Sequence, residues 1–252
     1  MNDRRKILVE PDVERALDTA ANLVATIACE AVAARGQFTI ALSGGTTPQP
    51  LYDLLTKPPR SDGIPWQEAQ VFFGDERDVP ADHPDSNYRM VQQTLLDLVP
   101  VRLEHVHPMP ADAADLDQAA GQYAELIIDH VGVGPSGLPA FDLILLGMGG
   151  DGHVASLFPG TPALEESRKL VTVHFVPVLG RKRMTFTLPL INAARNVLFL
   201  VTGVDKADAV EKIFSEDPAV AAELPAGRVR PTDGTLIFIM DNQATRKTQY
   251  RP

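Results

Sequence analysis

The stretch Phe141–Gly160, FDLILLGMGGDGHVASLFPG, decides the fold class and raises the central question about function. Its first part, FDLILLG, is a nearly continuous apolar run, which is typical of a strand buried on both faces of a parallel sheet. In the part that follows, Gly147, Gly149 and Gly152 match the G-x-G-x-x-G pattern of a dinucleotide-binding turn. His153 comes directly after the third glycine, which indicates instead a loop that presents an imidazole for acid–base chemistry.

The position of this loop argues against a dinucleotide. A dinucleotide fingerprint opens the first strand–helix unit, runs into a full helix and is followed by an acidic residue about 20 residues later. Here the pattern lies past the middle of the chain, Pro159-Gly160 stop any helix, and Glu165 and Glu166 come too early. We therefore predict no nicotinamide cofactor, and a catalytic role for His153 beside Asp151.

The remaining chain alternates between strand-like and helix-like segments, which favours an α/β fold, Rossmann-like, with a mostly parallel sheet flanked by helices. We predict one domain over residues 1–252, with residues 161–183 as an excursion from it. The predicted strands are 6–10, 38–42, 70–74, 105–109, 141–147, 170–178, 183–189, 196–203 and 235–241. The predicted helices are 11–35, 48–55, 88–99, 112–131 and 205–215, with a final helix after residue 241.

Composition limits the class of protein. The chain has 252 residues, of which 44% are hydrophobic and 22% charged, as in ordinary soluble proteins. A net charge of −10 and the absence of a long basic block argue against nucleic-acid binding. No signal peptide is recognisable and no apolar run approaches the length of a membrane span, so we expect a cytoplasmic protein without a membrane partner. The single cysteine, Cys29, excludes an intrachain disulfide and is expected in the core.

Four loops follow predicted strands directly, and the carboxyl ends of parallel strands share one edge of a sheet. We therefore expect these loops to border one ligand-binding crevice. They are SGGTTP (43–48), DERDVP (75–80), GMGGDGH (147–153) and TGVDKA (202–207).

The first two loops carry groups that suit an anion. In the first, backbone N–H groups and hydroxyls can bind a phosphate, although an ordinary strand–helix turn has the same composition; its residues are Ser43, Gly44, Gly45, Thr46 and Thr47. In the second, Arg77 can clamp a phosphate, whereas Asp75 can orient a histidine or accept a substrate hydroxyl; a solvated salt-bridge cluster is the alternative. Lys206 and the triplet Arg181–Arg183 are further cations, with surface positions as the alternative. His105 and His107 have no supporting ligands, so we predict no metal site.

Five segments give the sequence a recognisable likeness. LSGGTTP, FFGDERDVPADHPDSNY, FDLILLGMGGDGHVASLFPG, RMTFTLPLINAARNVLFLVTGVDKA and LPAGRV occur in this order over nearly the whole chain. In order and spacing the sequence resembles the 6-phosphogluconolactonase family, a relative of the glucosamine-6-phosphate deaminases and ribose-5-phosphate isomerases. The resemblance implies a sugar-phosphate isomerase/deaminase-like fold and hydrolysis of 6-phospho-D-glucono-1,5-lactone to 6-phospho-D-gluconate in the oxidative pentose phosphate pathway.

The resemblance also implies roles for residues. His153 would be the general base that activates water, with Asp151 tuning or orienting its ring, and no cofactor or metal would be needed. The phosphate is expected on the Ser43–Thr47 loop, with Arg77, Arg183 and Lys206 as cationic partners. The family's Lys-Pro-Pro-like run is replaced by Gly180-Arg181-Lys182 here, which leaves Arg181 and Lys182 as candidates for an additional phosphate contact. Oligomeric state is not readable, and a monomer is our expectation.

Two other functions stay open at this point. In the deaminase branch the corresponding motif reads G-H-I-A-F-N-E-P, and Phe158 stands here in place of its glutamate. Since an apolar ring cannot relay a proton, this disfavours deaminase chemistry. The second alternative is a non-catalytic protein that binds a sugar phosphate, which would have no need of a base at His153.

Overall fold

The computed structural model describes residues 4–250. A six-stranded sheet, in which every pairing is parallel, forms the centre of the fold, in the order β1-β9-β8-β5-β2-β3. A smaller antiparallel sheet has the order β4-β7-β6. The strands are β1 (Arg5–Glu10), β2 (Phe38–Leu42), β3 (Ala69–Phe73), β4 (Asp75–Arg77), β5 (Leu143–Leu146), β6 (Val171–Val176), β7 (Arg181–Phe186), β8 (Asn196–Val201) and β9 (Thr235–Asp241).

The parallel sheet follows from its apolar runs. Every residue of β2, β3 and β5 is buried, as expected for strands covered on both faces. The described helices are α1 (Val13–Arg35), α2 (Gln49–Leu55), α3 (Arg60–Gly63), α4 (Asn87–Thr94), α5 (Leu116–His130), α6 (Leu188–Ala193), α7 (Ala207–Ile213) and α8 (Pro218–Ala222). The predicted α/β class with a mostly parallel sheet is therefore confirmed.

Helix α1 illustrates how local sequence sets an element. The Asp12 side chain accepts a hydrogen bond from the Arg15 N–H at the first turn, and Gly36 ends the helix with φ 76°, a left-handed conformation that favours glycine. By length and composition this 23-residue helix could cross a membrane, contrary to the expectation that no apolar run is that long. Eight of its residues are buried in the protein core, which is the behaviour of a core helix of a globular protein.

The second sheet was only partly foreseen. Residues 75–77, expected to be loop, form β4, because Arg77 pairs with Arg183 and the Phe186 N–H donates to the Gly74 carbonyl oxygen at 2.8 Å. The polar sequence of β4 concealed a strand that is defined only by its partner β7. The predicted excursion, residues 161–183, contains β6 and the start of β7. The third strand of the small sheet, β4, comes from an earlier part of the chain.

Three further expectations are wrong. Residues 105–109 form no strand; a short 3₁₀ turn ends at His105, and only an isolated bridge joins Val106 to Val71. Residues 242–250 contain turns and no helix. Cys29 is exposed, and its thiol donates to the Gly63 carbonyl oxygen at 3.1 Å. For Cys29 the cause is that an apolar composition does not reveal which face of a helix meets the core.

Candidate active site

A cavity of about 220 Å³ lies at the carboxyl ends of β8, β5, β2 and β3, which are neighbours in the sheet. Between β5 and β2 the chain order reverses direction, and in open α/β sheets ligands bind at this switch point. All four predicted loops contribute to its wall, so the crevice inferred from loop order exists. Its lining residues are Ser43, Gly44, Gly45, Thr46, Thr47, Pro48, Asp75, Arg77, Asn87, Gly147, Met148, Gly149, His153, Ala155 and Lys206.

His153 lies on the wall of this cavity in a defined orientation. Its Nδ1 atom is 2.6 Å from Oδ1 of Asp151, and the same carboxylate oxygen accepts the His153 backbone N–H at 3.1 Å. A carboxylate only accepts, so Nδ1 carries the proton and Nε2 has the free lone pair. Asp151 does not line the cavity itself; it contacts the cavity residue His153.

Packing also fixes the plane of the His153 ring. The Phe158 ring stacks on it, with 4.1 Å between ring centroids and 22° between planes. On the other side of the loop, a Cβ atom at Gly149 would overlap the His153 ring, so the close approach of the backbone requires glycine there. Of the G-x-G-x-x-G pattern, Gly149 thus makes room for the histidine, whereas a Cβ atom at Gly152 would meet Leu224; no α-helix follows the pattern until residue 188.

The Ser43–Thr47 loop is tied to the core beneath it. The buried Tyr52 hydroxyl donates to the Ser43 carbonyl oxygen at 2.7 Å and accepts the Ser43 N–H at 3.0 Å. Burial raises the pKa of Tyr52, so this hydroxyl remains a neutral donor. The loop leads into α2, which has only seven residues, and Pro48 is its cap rather than its first residue. Anion binding here would depend on the N–H and hydroxyl groups and on nearby cations.

Asp75 lies on the buried side of the cavity, and its side chain is held from two directions. Its Oδ2 atom accepts the Ser156 hydroxyl at 2.7 Å, and the Asn87 amide lies 3.4 Å from its Oδ1 atom. No hydrogen bond joins Asp75 to a histidine in the described part of the chain, so the expected option of orienting a histidine is wrong for Asp75. The other option, accepting a substrate hydroxyl, fits its place on the cavity wall.

The expected cations differ in their access to the cavity. Arg77 and Lys206 line it; Arg77 donates to the Asp85 carbonyl oxygen, and Lys206 lies 2.9 Å from Asp205. Arg183 does not line it, although its pairing with Arg77 across β4 and β7 puts the two side chains on the same face of the sheet. Burial, followed by the positive charge of Arg77, lowers the pKa of Arg183.

The rest of the basic triplet lies farther out. Arg181 is exposed and 3.3 Å from Asp85, and the backbone N–H of Lys182 donates to Asp78. Neither Arg181 nor Lys182 lines the cavity. Arg183 is the most buried of the three, with 11% of its side chain exposed and 3.9 Å to Asp78.

Glu76, between the two site residues Asp75 and Arg77, has a structural role. Its buried carboxylate accepts the backbone N–H groups of Asn87 and Tyr88, each at 2.8 Å, and thereby caps α4. Burial raises the pKa of Glu76, and the hydrogen bonds from the backbone oppose that rise. Glu76 thus fixes the start of α4, and with it Asn87, against β4.

Several residues at the site were not foreseen. Ser86 is the N-cap of α4, and the Asn87 side chain, for which the sequence predicted no role at the site, lines the cavity. Ser156 and Ala155, which has φ 47°, belong to the loop after His153. No local pattern in the sequence predicted a site role for Ala155 or Ser156. For Asn87, the one available signal was the polar segment Asp85-Ser86-Asn87 in the loop after a predicted strand. Between residues 4 and 250, no group of three or more His, Cys, Asp or Glu residues is arranged to hold a metal ion.

Comparison with known proteins agrees with this geometry. The profile of the family described as glucosamine-6-phosphate isomerases/6-phosphogluconolactonase matches residues 11–238. A Synechocystis 6-phosphogluconolactonase is 47% identical over 92% of this chain and 92% of its own. The solved structure of 6-phosphogluconolactonase from Trypanosoma brucei superimposes with a TM-score of 0.83 at 28% identity, covering 96% of this chain and 98% of that one. A monomeric glucosamine-6-phosphate deaminase shares the fold, with a TM-score of 0.81 at 19% identity, 96% of this chain and 100% of that one being covered. The chain therefore belongs to the glucosamine-6-phosphate isomerase/6-phosphogluconolactonase family.

Proposed function

We propose that this protein is a 6-phosphogluconolactonase, which hydrolyses 6-phospho-D-glucono-1,5-lactone to 6-phospho-D-gluconate in the oxidative pentose phosphate pathway. The observation that carries the proposal is the Asp151–His153 pair on the wall of a cavity that also holds the Ser43–Thr47 loop and two cations. A base and an anion-binding region in one small cavity match a substrate that has a reactive ester at one end and a phosphate at the other.

The chemistry we assign to His153 is general base catalysis. Nε2 takes a proton from a water molecule as the water oxygen attacks the lactone carbonyl carbon, and a tetrahedral oxyanion forms. When the bond between the carbonyl carbon and the ring oxygen breaks, the imidazolium returns a proton to that oxygen and regenerates the base. Asp151 stabilises the imidazolium that exists between these two steps and keeps the proton on Nδ1.

The phosphate of the substrate is assigned to the Ser43–Thr47 loop. A phosphate monoester carries a charge near −2, and in a chain with a net charge of −10 it needs cations gathered locally. Arg77 and Lys206 supply such cations at the cavity wall. Arg183, beside Arg77, adds positive potential, and an anion would relieve the repulsion between the two guanidinium groups.

The alternative is deamination of glucosamine 6-phosphate. Because a deaminase shares this fold, the fold does not distinguish the two reactions, and the site residues have to. Phe158 occupies the position of the deaminase glutamate, and its ring stacks on His153. A ring at this place offers neither a proton relay nor a negative charge. Lactone hydrolysis needs neither, because a single base suffices for attack on an activated ester.

A direct assay tests the proposal. The lactone is generated from glucose 6-phosphate in the presence of the purified protein, and its conversion to acid is followed against the spontaneous rate. We expect strong acceleration, with no ammonia released from glucosamine 6-phosphate. Ammonia release without lactone hydrolysis would replace the proposal with the deaminase, and binding without either reaction would favour a non-catalytic sugar-phosphate-binding protein. A monomeric state, a cytoplasmic location and one domain over the whole chain are parts of the same proposal.

A further inference from the structure

Asn87 connects two parts of the cavity that are far apart in the chain. It is 2% exposed, and its Nδ2 atom donates to the backbone carbonyl oxygen of Asp75 at 2.9 Å. Its backbone N–H donates to the Glu76 carboxylate at 2.8 Å. Asn87 is therefore hydrogen-bonded to β4 through both its side chain and its backbone.

The other end of the carboxamide lies against the Ser43–Thr47 loop. Its Oδ1 atom is buried and has no hydrogen-bond partner, which is uncommon for a buried acceptor. A Cβ atom built on Gly44 would overlap this carboxamide. Gly44 is not among the glycines with positive φ, so its backbone conformation alone would accept alanine. It is the space taken by Asn87 that requires glycine at position 44.

We propose that Asn87 is a positioning residue for the phosphate loop: it holds the Gly44 backbone in the place from which the loop grips the substrate phosphate. The inference rests on the proposed function, since it assumes a phosphorylated ligand on this loop. The contact makes the loop a part of the same rigid unit as Asp75. A site that must bind the two ends of one small molecule depends on such fixed spacing, because displacement of a binding group by about 1 Å is enough to cost 10²-fold in rate.

A double-mutant cycle between the two residues tests this contact. Gly44→Ala, Asn87→Ala and the double variant are compared with the wild type in their affinity for 6-phosphogluconate, measured by calorimetry. We expect Gly44→Ala to weaken binding by about 30-fold or more while Asn87 is present. In the Asn87→Ala background, where the new methyl group has room, the same change is expected to cost less than about threefold. Equal factors in the two backgrounds would overturn the proposal.

Ser156→Ala is the matched control, because Asn87 also contacts Asp75. It removes the 2.7 Å hydrogen bond to the Asp75 carboxylate without altering the phosphate loop. The readout is the ratio of kcat/KM for the phosphorylated lactone to kcat/KM for unphosphorylated glucono-1,5-lactone. We expect Asn87→Ala to lower this ratio about tenfold and Ser156→Ala to leave it unchanged. An unchanged ratio in Asn87→Ala would assign the effect to Asp75 and refute a role in phosphate binding.

Unfolding measurements separate this inference from the proposed function and cover variants that bind no ligand. The midpoints of urea unfolding are measured without ligand for the four proteins of the double-mutant cycle, which are the wild type, Gly44→Ala, Asn87→Ala and the double variant. Asn87→Ser replaces Asn87→Ala if the alanine variant does not fold. We expect Gly44→Ala to lower the unfolding midpoint when Asn87 is present, and to lower it much less when residue 87 is alanine or serine. Recovery in a protein that fails to hydrolyse the lactone would reject the proposed function alone, whereas no recovery in an active enzyme would reject the positioning role alone.

Discussion

The two sides of the cavity are built in opposite ways. On the histidine side, where Asp151 and Phe158 contact the His153 ring, the polar groups are accessible: 32% of the His153 side chain and 49% of the Asp151 side chain are exposed. The asparagine side, formed by Asp75, Asn87 and Ser156, is buried, with 8%, 2% and 1% of each residue exposed. A group that exchanges protons with water needs access to it, whereas groups that hold a geometry gain from burial, where hydrogen bonds are stronger and alternatives fewer.

Removing the base on the histidine side is expected to have the largest effect. His153→Ala should lower kcat for lactone hydrolysis by about 10²–10⁴-fold, since proton transfer loses its acceptor. Affinity for 6-phosphogluconate, measured by calorimetry, should change little because the loop and cations are intact. Turnover equal to that of the wild type would show that another group activates water. It would contradict the view that proton transfer takes place on the histidine side of the cavity.

A smaller loss is expected when only the orientation of the base is disturbed. Asp151→Asn keeps the shape of the side chain but replaces a carboxylate that accepts the Nδ1 proton by an amide that cannot stabilise the imidazolium. We expect kcat to fall by about 10- to 100-fold, with KM nearly unchanged. Asp151→Glu, which keeps the charge, is the control and should retain more activity than Asp151→Asn. The same rate for both variants would mean that the 2.6 Å contact has no role in catalysis.

The phosphate end should respond through binding rather than through the chemical step. Arg183→Ala is expected to raise KM for the phosphorylated lactone by about tenfold, because the positive potential that Arg183 adds beside Arg77 is lost. The ratio of kcat/KM between phosphorylated and unphosphorylated lactone should fall by the same factor. Arg183→Lys keeps a positive charge, and its KM for the phosphorylated lactone should lie between those of the wild type and Arg183→Ala. Equal losses on both lactones would remove Arg183 from the phosphate site.

A buried histidine outside the cavity extends the comparison to stability. The Nε2–H of His107 donates a hydrogen bond to Oε1 of Gln70 at 2.7 Å, and its ring stacks on Phe72. Burial, and then the neighbours His130 and His105, lower the pKa of His107 to about 4. Between pH 6.5 and pH 4 the unfolded chain therefore binds a proton that the folded protein does not, and the free energy of unfolding falls as the pH falls.

This effect is the smallest and is measured by urea unfolding across that pH range. His107→Gln should flatten the decline between pH 6.5 and pH 4, because the variant has no group to protonate at this position. Its stability at pH 7.5 serves as the reference for any loss of packing. A slope as steep as that of the wild type would show that another group controls the acid response.

Sequence patterns predicted well where a residue's role is local. The apolar runs identified the strands of the parallel sheet, the predicted end of the first helix at residue 35 agrees with α1, and the loop order located the crevice. They failed where the partner is remote. The DER segment became β4 because β7 lies beside it, and Cys29 lies in an apolar run yet on an exposed face.

The same distinction applies to the candidate site. The glycine loop with His153 and Asp151 could be recognised because both residues lie within three positions of each other. Asn87 could not, because its neighbours Asp75 and Gly44 are 12 and 43 positions away in the chain. Arg183 was singled out as a phosphate partner, which stays a prediction; only the pairing of β4 with β7 put it beside Arg77 and outside the cavity wall.

By itself, the sequence determined the α/β class, the likeness to a family of sugar-phosphate enzymes, and the glycine loop that carries an imidazole on the cavity wall. These features depend on periodicity and on short motifs, in which the interacting residues are neighbours along the chain. Only the tertiary structure decided that Asp75 contacts Ser156, which cations reach the cavity, and that Asn87 fills the space at Gly44. Such contacts join segments that are brought together by sheet pairing and burial, and no local pattern encodes the distance between them.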